Sequence, residues 1–276
     1  MVFALLGGDE RVVRLGRLLR SDGHTVRAFA LESAVPDCVP DASAAVKGAD
    51  CVFLPLPCER DGVLNAPLST VRTETAPLLA FAAPGTRVFA GKVPEPLRTQ
   101  CRNGGLALTD YMCREELALR NAALTAEGAL GLLLQGEGSL RGSRILLTGF
   151  GRIGRVLARM LTSLGVRVTV AARRPEERAL AELMGCRALR FSELSLPGDW
   201  DAVVNTVPAP ILSAPELEAF GGARLIELAS PPYGFDLAAA QALEKNVELC
   251  GGLPGKCAPL AAAAALRDTI YSVLEE

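Results

Sequence analysis

Short apolar runs alternate with longer mixed stretches along this chain, the pattern of strands interleaved with helices. Residues 2–6 (VFALL) read as a first strand. Gly7 and Gly8 break it, and a helix follows over 10–20 until Gly23 stops it. Further strands fall at 25–30, at 50–56 where prolines end the run, at 87–90 and, briefly, at 107–108, with a helix over 71–82. The segment 114–135 (REELALRNAALTAEGALGLLLQ) reads as one long helix, ended by Gly136 and Gly138. At 1.5 Å per residue it spans ~33 Å, enough to cross from one domain to another. Later strands fall at 145–148, 166–172, 202–207, 224–228 and 247–250. The last segment, 259–276, reads as a helix that packs back on the first domain, because little linker separates it from the last strand.

The stretch 144–174 (RILLTGFGRIGRVLARMLTSLGVRVTVAARR) carries the sharpest signal. Gly149, Gly151 and Gly154 fit G-x-G-x-x-G between an apolar strand and a helical pattern (Val156, Leu157, Met160, Leu161, Leu164), the context that a dinucleotide fingerprint needs. The first glycine permits the tight turn, the second lets backbone approach a pyrophosphate, and the third lets helix and strand pack closely. Free N–H groups and the positive end of the helix dipole then face the phosphates, with Phe150, Arg152 and Ile153 in the same turn. The second strand ends at Arg173 and Arg174, 24 residues beyond Gly149, with no carboxylate before Glu176. A carboxylate there would select NAD, whereas an arginine pairs with a 2′-phosphate. The expected cofactor is NADP, with either arginine as the phosphate ligand.

The fold class that follows is α/β: two Rossmann-like doubly wound domains joined by a long crossing helix, with a cleft between them. Residues 1–113, joined by the helix 259–276, form a flavodoxin- or Rossmann-like substrate domain. Residues 114–138 are the linking helix, and 139–258 are the NADP-binding Rossmann domain.

Composition narrows the partners. Half of the 276 residues are hydrophobic and the net charge is −2, with no long basic block, so nucleic acid and anionic membrane are not expected partners. The opening MVFALLGGDE reads as a strand rather than a signal peptide, and no apolar run is expected to reach the length of a membrane span. Eight scattered cysteines form no CxxC, and the single histidine, His24, cannot complete a Cys/His cluster. No metal site is expected, and free thiols fit a cytoplasmic protein.

In open α/β sheets ligands bind beyond the carboxyl ends of the strands. That rule nominates the glycine turn, Thr206, Val207 and Pro208 after Asn205, Ala229 and Ser230 before Pro231, and Pro254 within 251–256. In the first half it nominates Asp9 after Gly8, and Pro55 with Leu56 and Pro57. The long helix contributes Arg114, Thr125 and Glu127, the last a possible proton acceptor or a solvated carboxylate. A hydroxyacid dehydrogenase of this layout commonly uses a histidine base. His24 lies at the amino end of its strand, the wrong end for the cleft, and reads as structural.

Over nearly its whole length the sequence resembles the dipicolinate synthase A-subunit family of spore-forming bacteria. The matching residues include Gly7-Gly8-Asp9 with Arg11, Leu54-Pro55-Leu56-Pro57, Asp61-Gly62-Val63 and Asn65-Ala66-Pro67-Leu68. They continue with Tyr111, Arg114-Glu115-Glu116-Leu117-Ala118, Asn121-Ala122 and Thr125-Ala126-Glu127-Gly128-Ala129. The second half adds Gly149-Phe150-Gly151-Arg152-Ile153-Gly154, Asn205-Thr206-Val207-Pro208, Leu228-Ala229-Ser230 and Gly252-Leu253-Pro254-Gly255. The REELA…NA…TAEGA helix is the specific part; the glycine motif is generic. After Ser230 the sequence departs from the glycine-rich family pattern with Pro231-Pro232-Tyr233-Gly234.

The resemblance implies that a dihydrodipicolinate, or its hydrated tetrahydro precursor from the lysine pathway, loses hydride to NADP⁺ and becomes dipicolinate. Aromatisation drives such a step and lessens the demand on a base. Arg114, Arg11 and the helix amino terminus after Gly8 are then candidates for the two carboxylates, with Lys92 and Lys256 behind them. Glu127 or Tyr111 takes or relays the proton. The resemblance also implies a partner, a flavoprotein-like B subunit, and the mother-cell cytoplasm as location. A homodimer is common among two-domain dehydrogenases. The alternatives are another two-domain oxidoreductase acting on a hydroxy or amino acid, and an NADP-binding sensor or scaffold.

Overall fold

Short apolar runs such as 3–6, 145–148 and 202–204 become strands buried on both faces, as a parallel sheet covered by helices requires. The structure, a computed structural model, describes residues 1–136 and 138–276; Glu137, within the predicted linker 114–138, lies outside the described residues. The chain divides into two units, Met1–Asn121 with Ala258–Glu276, and Ala122–Cys257.

In the first unit β1 (Val2–Leu6) leads through α1 (Glu10–Ser21) to β2 (Thr25–Phe29) and through α2 (Ala42–Val46) to β3 (Cys51–Phe53). A small hairpin follows, β4 (Glu59–Arg60) with β5 (Val63–Leu64), then α3 (Thr75–Leu79), β6 (Arg87–Ala90), α4 (Glu95–Asn103) and β7 (Ala107–Asp110). The sheet order is β2-β1-β3-β6-β7, all parallel. Alternate side chains of β1 serve opposite faces. Phe3 and Leu5 join Leu15 and Leu19 of α1, and Ala4 and Leu6 join Val46 of α2.

The helix α5 (Glu115–Leu134) passes from the first unit into the second. The second unit continues with β8 (Arg144–Thr148), α6 (Arg152–Ser163), β9 (Arg167–Ala171), α7 (Pro175–Leu183) and β10 (Arg187–Leu189). Then come β11 (Ala202–Asn205), α8 (Ala214–Ala219), β12 (Arg224–Glu227), α9 (Leu237–Ala242), β13 (Val247–Leu249) and α10 (Leu253–Cys257). The parallel order β10-β9-β8-β11-β12-β13 reverses direction between β8 and β11, the doubly wound dinucleotide topology. The last helix, α11 (Pro259–Glu275), belongs to the first unit, where Ala263, Leu266 and Ile270 pack into the same core as α1.

Three expectations are corrected. β3 ends at Phe53 rather than Leu56, because Pro55 and Pro57 have no N–H for a ladder. The helix expected over 71–82 shrinks to Thr75–Leu79, because the preceding residues run extended beside the hairpin: Leu64 N donates to Thr73 O at 2.9 Å and Val63 bridges Glu74. And α5, with 20 residues and a mean hydropathy of 1.3, is long and apolar enough to cross a membrane by those measures. Its Ala126, Ala129 and Leu133 are instead buried in the core of the second unit. All eight cysteines are free, and among the described residues no three His, Cys, Asp or Glu side chains cluster as a metal site.

Candidate functional site

In the second unit the glycine turn sits at the point where the strand order reverses. Gly149 has φ +89, and a Cβ there would lie 2.6 Å from Thr206 Oγ1 and 2.7 Å from Val207 Cγ2. A Cβ on Gly154 would collide with the Gly149 carbonyl, so only glycine lets α6 start this close to β8. A Cβ on Gly151 would meet open space, which is the room a pyrophosphate needs beside the backbone. Gly151 is also the N-cap of α6 and supplies no side-chain cap. The first-turn N–H groups therefore keep the positive end of a 12-residue helix available to an anion. These features fit a dinucleotide. Phe150 is buried and works through its backbone, with its carbonyl accepting from Arg155 Nε at 2.9 Å. Arg152 is exposed and Ile153 half-buried.

The two arginines after β9 differ. Arg174 caps α7, and its guanidinium pairs with Glu177 at 2.6 Å and Glu176 at 3.5 Å, which raises its pKa. Arg173 is exposed and enters no ion pair among the described residues. Thr206 and Val207 are half-buried, Pro208 and Ser230 exposed, and Ala229 buried at the end of β12. Thr206 Oγ1 donates to Thr148 O at 2.8 Å and so ties its loop to β8.

The first unit has its own reversal point, between β1 and β3. A hollow there is lined by Asp9, Arg11, Phe53, Pro55, Leu56 and Tyr111. Its volume is about 10 Å³, on the order of one water, so a ring-sized ligand would lie over its mouth. Asp9 caps α1 by accepting from Arg11 N at 3.0 Å. Its carboxylate also takes Arg11 Nε at 2.9 Å and Nη2 at 2.8 Å, and Nη2 reaches Leu56 O at 3.3 Å. Burial weighs against the Arg11 charge, but the hydrogen bond and charge of Asp9 outweigh it and raise the pKa. The amino terminus of α1 is thus closed by an anion of its own, unlike that of α6. Among the first-unit candidates for a substrate carboxylate this removes the helix terminus, while Arg11 keeps its Nη1 outside the Asp9 fork.

Residues 2–112 match the N-terminal domain family of the dipicolinate synthase A subunit, and residues 122–214 match the D-isomer specific 2-hydroxyacid dehydrogenase NAD binding domain. The dipicolinate synthase A subunit of Bacillus subtilis is 33% identical over 166 residues, 59% of this chain and 56% of that protein, so the matched stretch spans little more than half of either. The crystal structure of the dipicolinate synthase A subunit from Bacillus halodurans superposes with a TM-score of 0.87 at 25% identity, covering 100% of this chain and 98% of that one. Residues 2–112 thus carry the N-terminal domain of the dipicolinate synthase A subunit, and the whole chain shares that subunit's fold. The A chain from Bacillus subtilis shares the fold at a TM-score of 0.83 and 24% identity, covering 100% of this chain and 96% of that one.

Within this chain, four residues expected to face ligands are placed otherwise. Tyr111 is 1% exposed; its ring stacks on Phe53 at 5.3 Å and its hydroxyl donates to Leu54 O at 3.1 Å. Burial pushes its pKa well up, so it is a core phenol and a poor proton relay. Arg114 is held by Glu276 through two bonds of 2.9 and 2.6 Å and by Glu116 at 2.7 Å, so it fastens the end of α11. Pro254 is buried within α10 rather than in a turn. Asp9 is committed to Arg11. Glu127 is exposed and Thr125 half-buried on α5. His24 stands against Phe3, with Nε2 3.0 Å from Tyr271 Oη, at the amino end of β2. The residue that sequence reasoning passed over is Glu227, a buried carboxylate inside the apolar run RLIEL; the charge in that run was the available signal.

Proposed function

We propose that this chain is an NADP-dependent dehydrogenase that converts dihydrodipicolinate, or its hydrated tetrahydro precursor, to dipicolinate. The observation that carries the reading is the open anion site at α6 beside Arg173. The uncapped first turn of α6 would hold the pyrophosphate, and Arg173 would pair with the 2′-phosphate, because Glu177 already occupies Arg174. When bound, the nicotinamide supplies the hydride acceptor. Arg11 holds one substrate carboxylate. Oxidation of the dihydro compound removes a hydride and a proton, and the hydrated precursor loses water besides. Glu127 takes the proton; because the product is an aromatic pyridine, a weak base suffices and no histidine is required. Relatives named dipicolinate synthase support the substrate. The B subunit of that synthase is the proposed partner, a homodimer the proposed assembly, and the mother-cell cytoplasm the proposed location.

The test generates the precursor in place from aspartate semialdehyde and pyruvate, then follows NADPH and dipicolinate together. Equal appearance of both is expected, with NADP⁺ preferred over NAD⁺ and that preference reduced at least about tenfold in Arg173→Ser. Absence of dipicolinate, with the B subunit present too, would overturn the reaction. An unchanged cofactor preference in Arg173→Ser would overturn the role of that arginine.

A further inference from the structure

A buried polar chain crosses the sheet of the second unit at the carboxyl ends of β8, β11 and β12. Thr148, Asn205 and Glu227 end those strands, and each is 0% exposed. Thr148 Oγ1 donates to Asn205 Oδ1 at 2.6 Å, and Asn205 Nδ2 donates to Glu227 Oε1 at 2.6 Å. The remaining bonds reach out of the sheet into the loops. Asn205 Oδ1 accepts from Val207 N at 3.1 Å, and its Nδ2 donates to Val207 O at 3.0 Å. Glu227 Oε1 accepts from Ala229 N at 2.8 Å, and Oε2 accepts from Gly234 N at 2.8 Å and Phe235 N at 3.2 Å. Gly234 lies flat on the Asn205 amide, where any Cβ would collide.

Burying a carboxylate is costly, and an aliphatic side chain would fill the same core space without that cost. Glu227 meets four N–H donors, three of them backbone groups of the single loop 229–235, whose far end is tied to Leu212 by a bridge at Phe235 while none of its residues joins the main sheet. The acceptor therefore serves the loop and not the ladder. Through Asn205 the same carboxylate is linked to Thr148, whose carbonyl also takes Thr206 Oγ1. The end of β8, just before the glycine turn, the Thr206–Val207 segment and the Ala229–Phe235 loop are thereby joined by one hydrogen-bonded set. Arg173 and β9, which serve the adenosine end, lie on the other side of β8 in the strand order.

We propose that Glu227, acting through Asn205, is a positioning residue that holds the loops receiving the nicotinamide end of the cofactor. The inference rests on the reading of the second unit as the NADP site. Glu227→Gln keeps the shape, but in either orientation its amide nitrogen faces two donors. Three measurements are compared with wild type: NADPH binding, binding of adenosine 2′,5′-bisphosphate, and amide hydrogen exchange. NADPH is expected to bind at least about tenfold more weakly, and the adenosine bisphosphate, which lacks nicotinamide, within about twofold of wild type. The amides of Val207, Ala229, Gly234 and Phe235 are expected to exchange faster, with those of β8 and β9 unchanged. Equal weakening of both ligands, or unchanged exchange in the loop, would overturn the proposal. A wild-type chain that binds neither ligand would sink the cofactor reading and this inference with it; one that binds both, with a silent variant, would sink the inference alone. If the glutamine variant does not fold, Thr148→Val removes one donor at nearly constant volume and is expected to show the same pattern at about threefold.

Discussion

At the scale of single residues, burial decides which polar side chains are free to act. Tyr111 and Glu127 look alike as proton carriers in the sequence, yet the tyrosine hydroxyl is spent on Leu54 O and the glutamate is exposed. Tyr111→Phe keeps the stack on Phe53 and removes the hydroxyl, leaving one buried carbonyl short of a donor. It is expected to cost about 1 kcal/mol of unfolding free energy and to leave the shape of the pH–turnover profile unchanged, as denaturant titration and steady-state kinetics will check. Loss of the basic limb would return the phenol to catalysis. The arginines divide in the same way. Arg11, Arg114, Arg173 and Arg174 are four equal candidate cations in the sequence, and the carboxylates that engage three of them are scattered from Asp9 to Glu276. No local pattern announces a partner 162 residues away.

Among the elements, legibility follows length and covering. β1 and β6 are read to their last residue, because a run buried on both faces is uniformly apolar and ends at a glycine or a lysine turn. Five-residue helices such as α2 and α3 complete too few turns to show a period, and the hairpin of β4 and β5 is two residues deep. α11 is legible as a helix, but what fastens it is not. Its last turn is held by the Arg114 clamp, where hydrogen bonds to Arg114 lower the pKa of both Glu276 and Glu116. A carboxylate whose pKa is lowered on folding contributes stability above its ordinary value of about 4.3, and loses it as pH falls through the folded value. Exchange of the amides in 271–275, corrected for intrinsic rates, is therefore expected to speed up between neutral pH and about pH 3 in the wild type. In Arg114→Leu it is expected to be fast at both. A pH-independent wild type would show that the clamp does not hold the helix end.

For the molecule as a whole, the two sheets use the same geometry in opposite ways. Both place a glycine turn and a helix amino terminus at a reversal of strand order. In the first unit Asp9 fills that terminus and hands the site to Arg11, a cation. In the second, Gly151 leaves the terminus open and Arg173 adds charge beyond it. On the proposed reading, one unit would present a guanidinium to a substrate carboxylate, and the other would receive phosphates with backbone N–H groups. Arg11 and Arg173 share no hydrogen-bond partner among the described residues, so their effects are expected to be independent. Arg11→Lys keeps the charge but loses the fork, and is expected to raise the substrate KM about tenfold with the NADP⁺ KM unchanged. Arg173→Ser is expected to do the reverse. In the double variant the loss in kcat/KM is expected to match the product of the single losses to within about twofold. A double variant no worse than the poorer single one would mean that both arginines act on one ligand, and the division of labour between the units would fall.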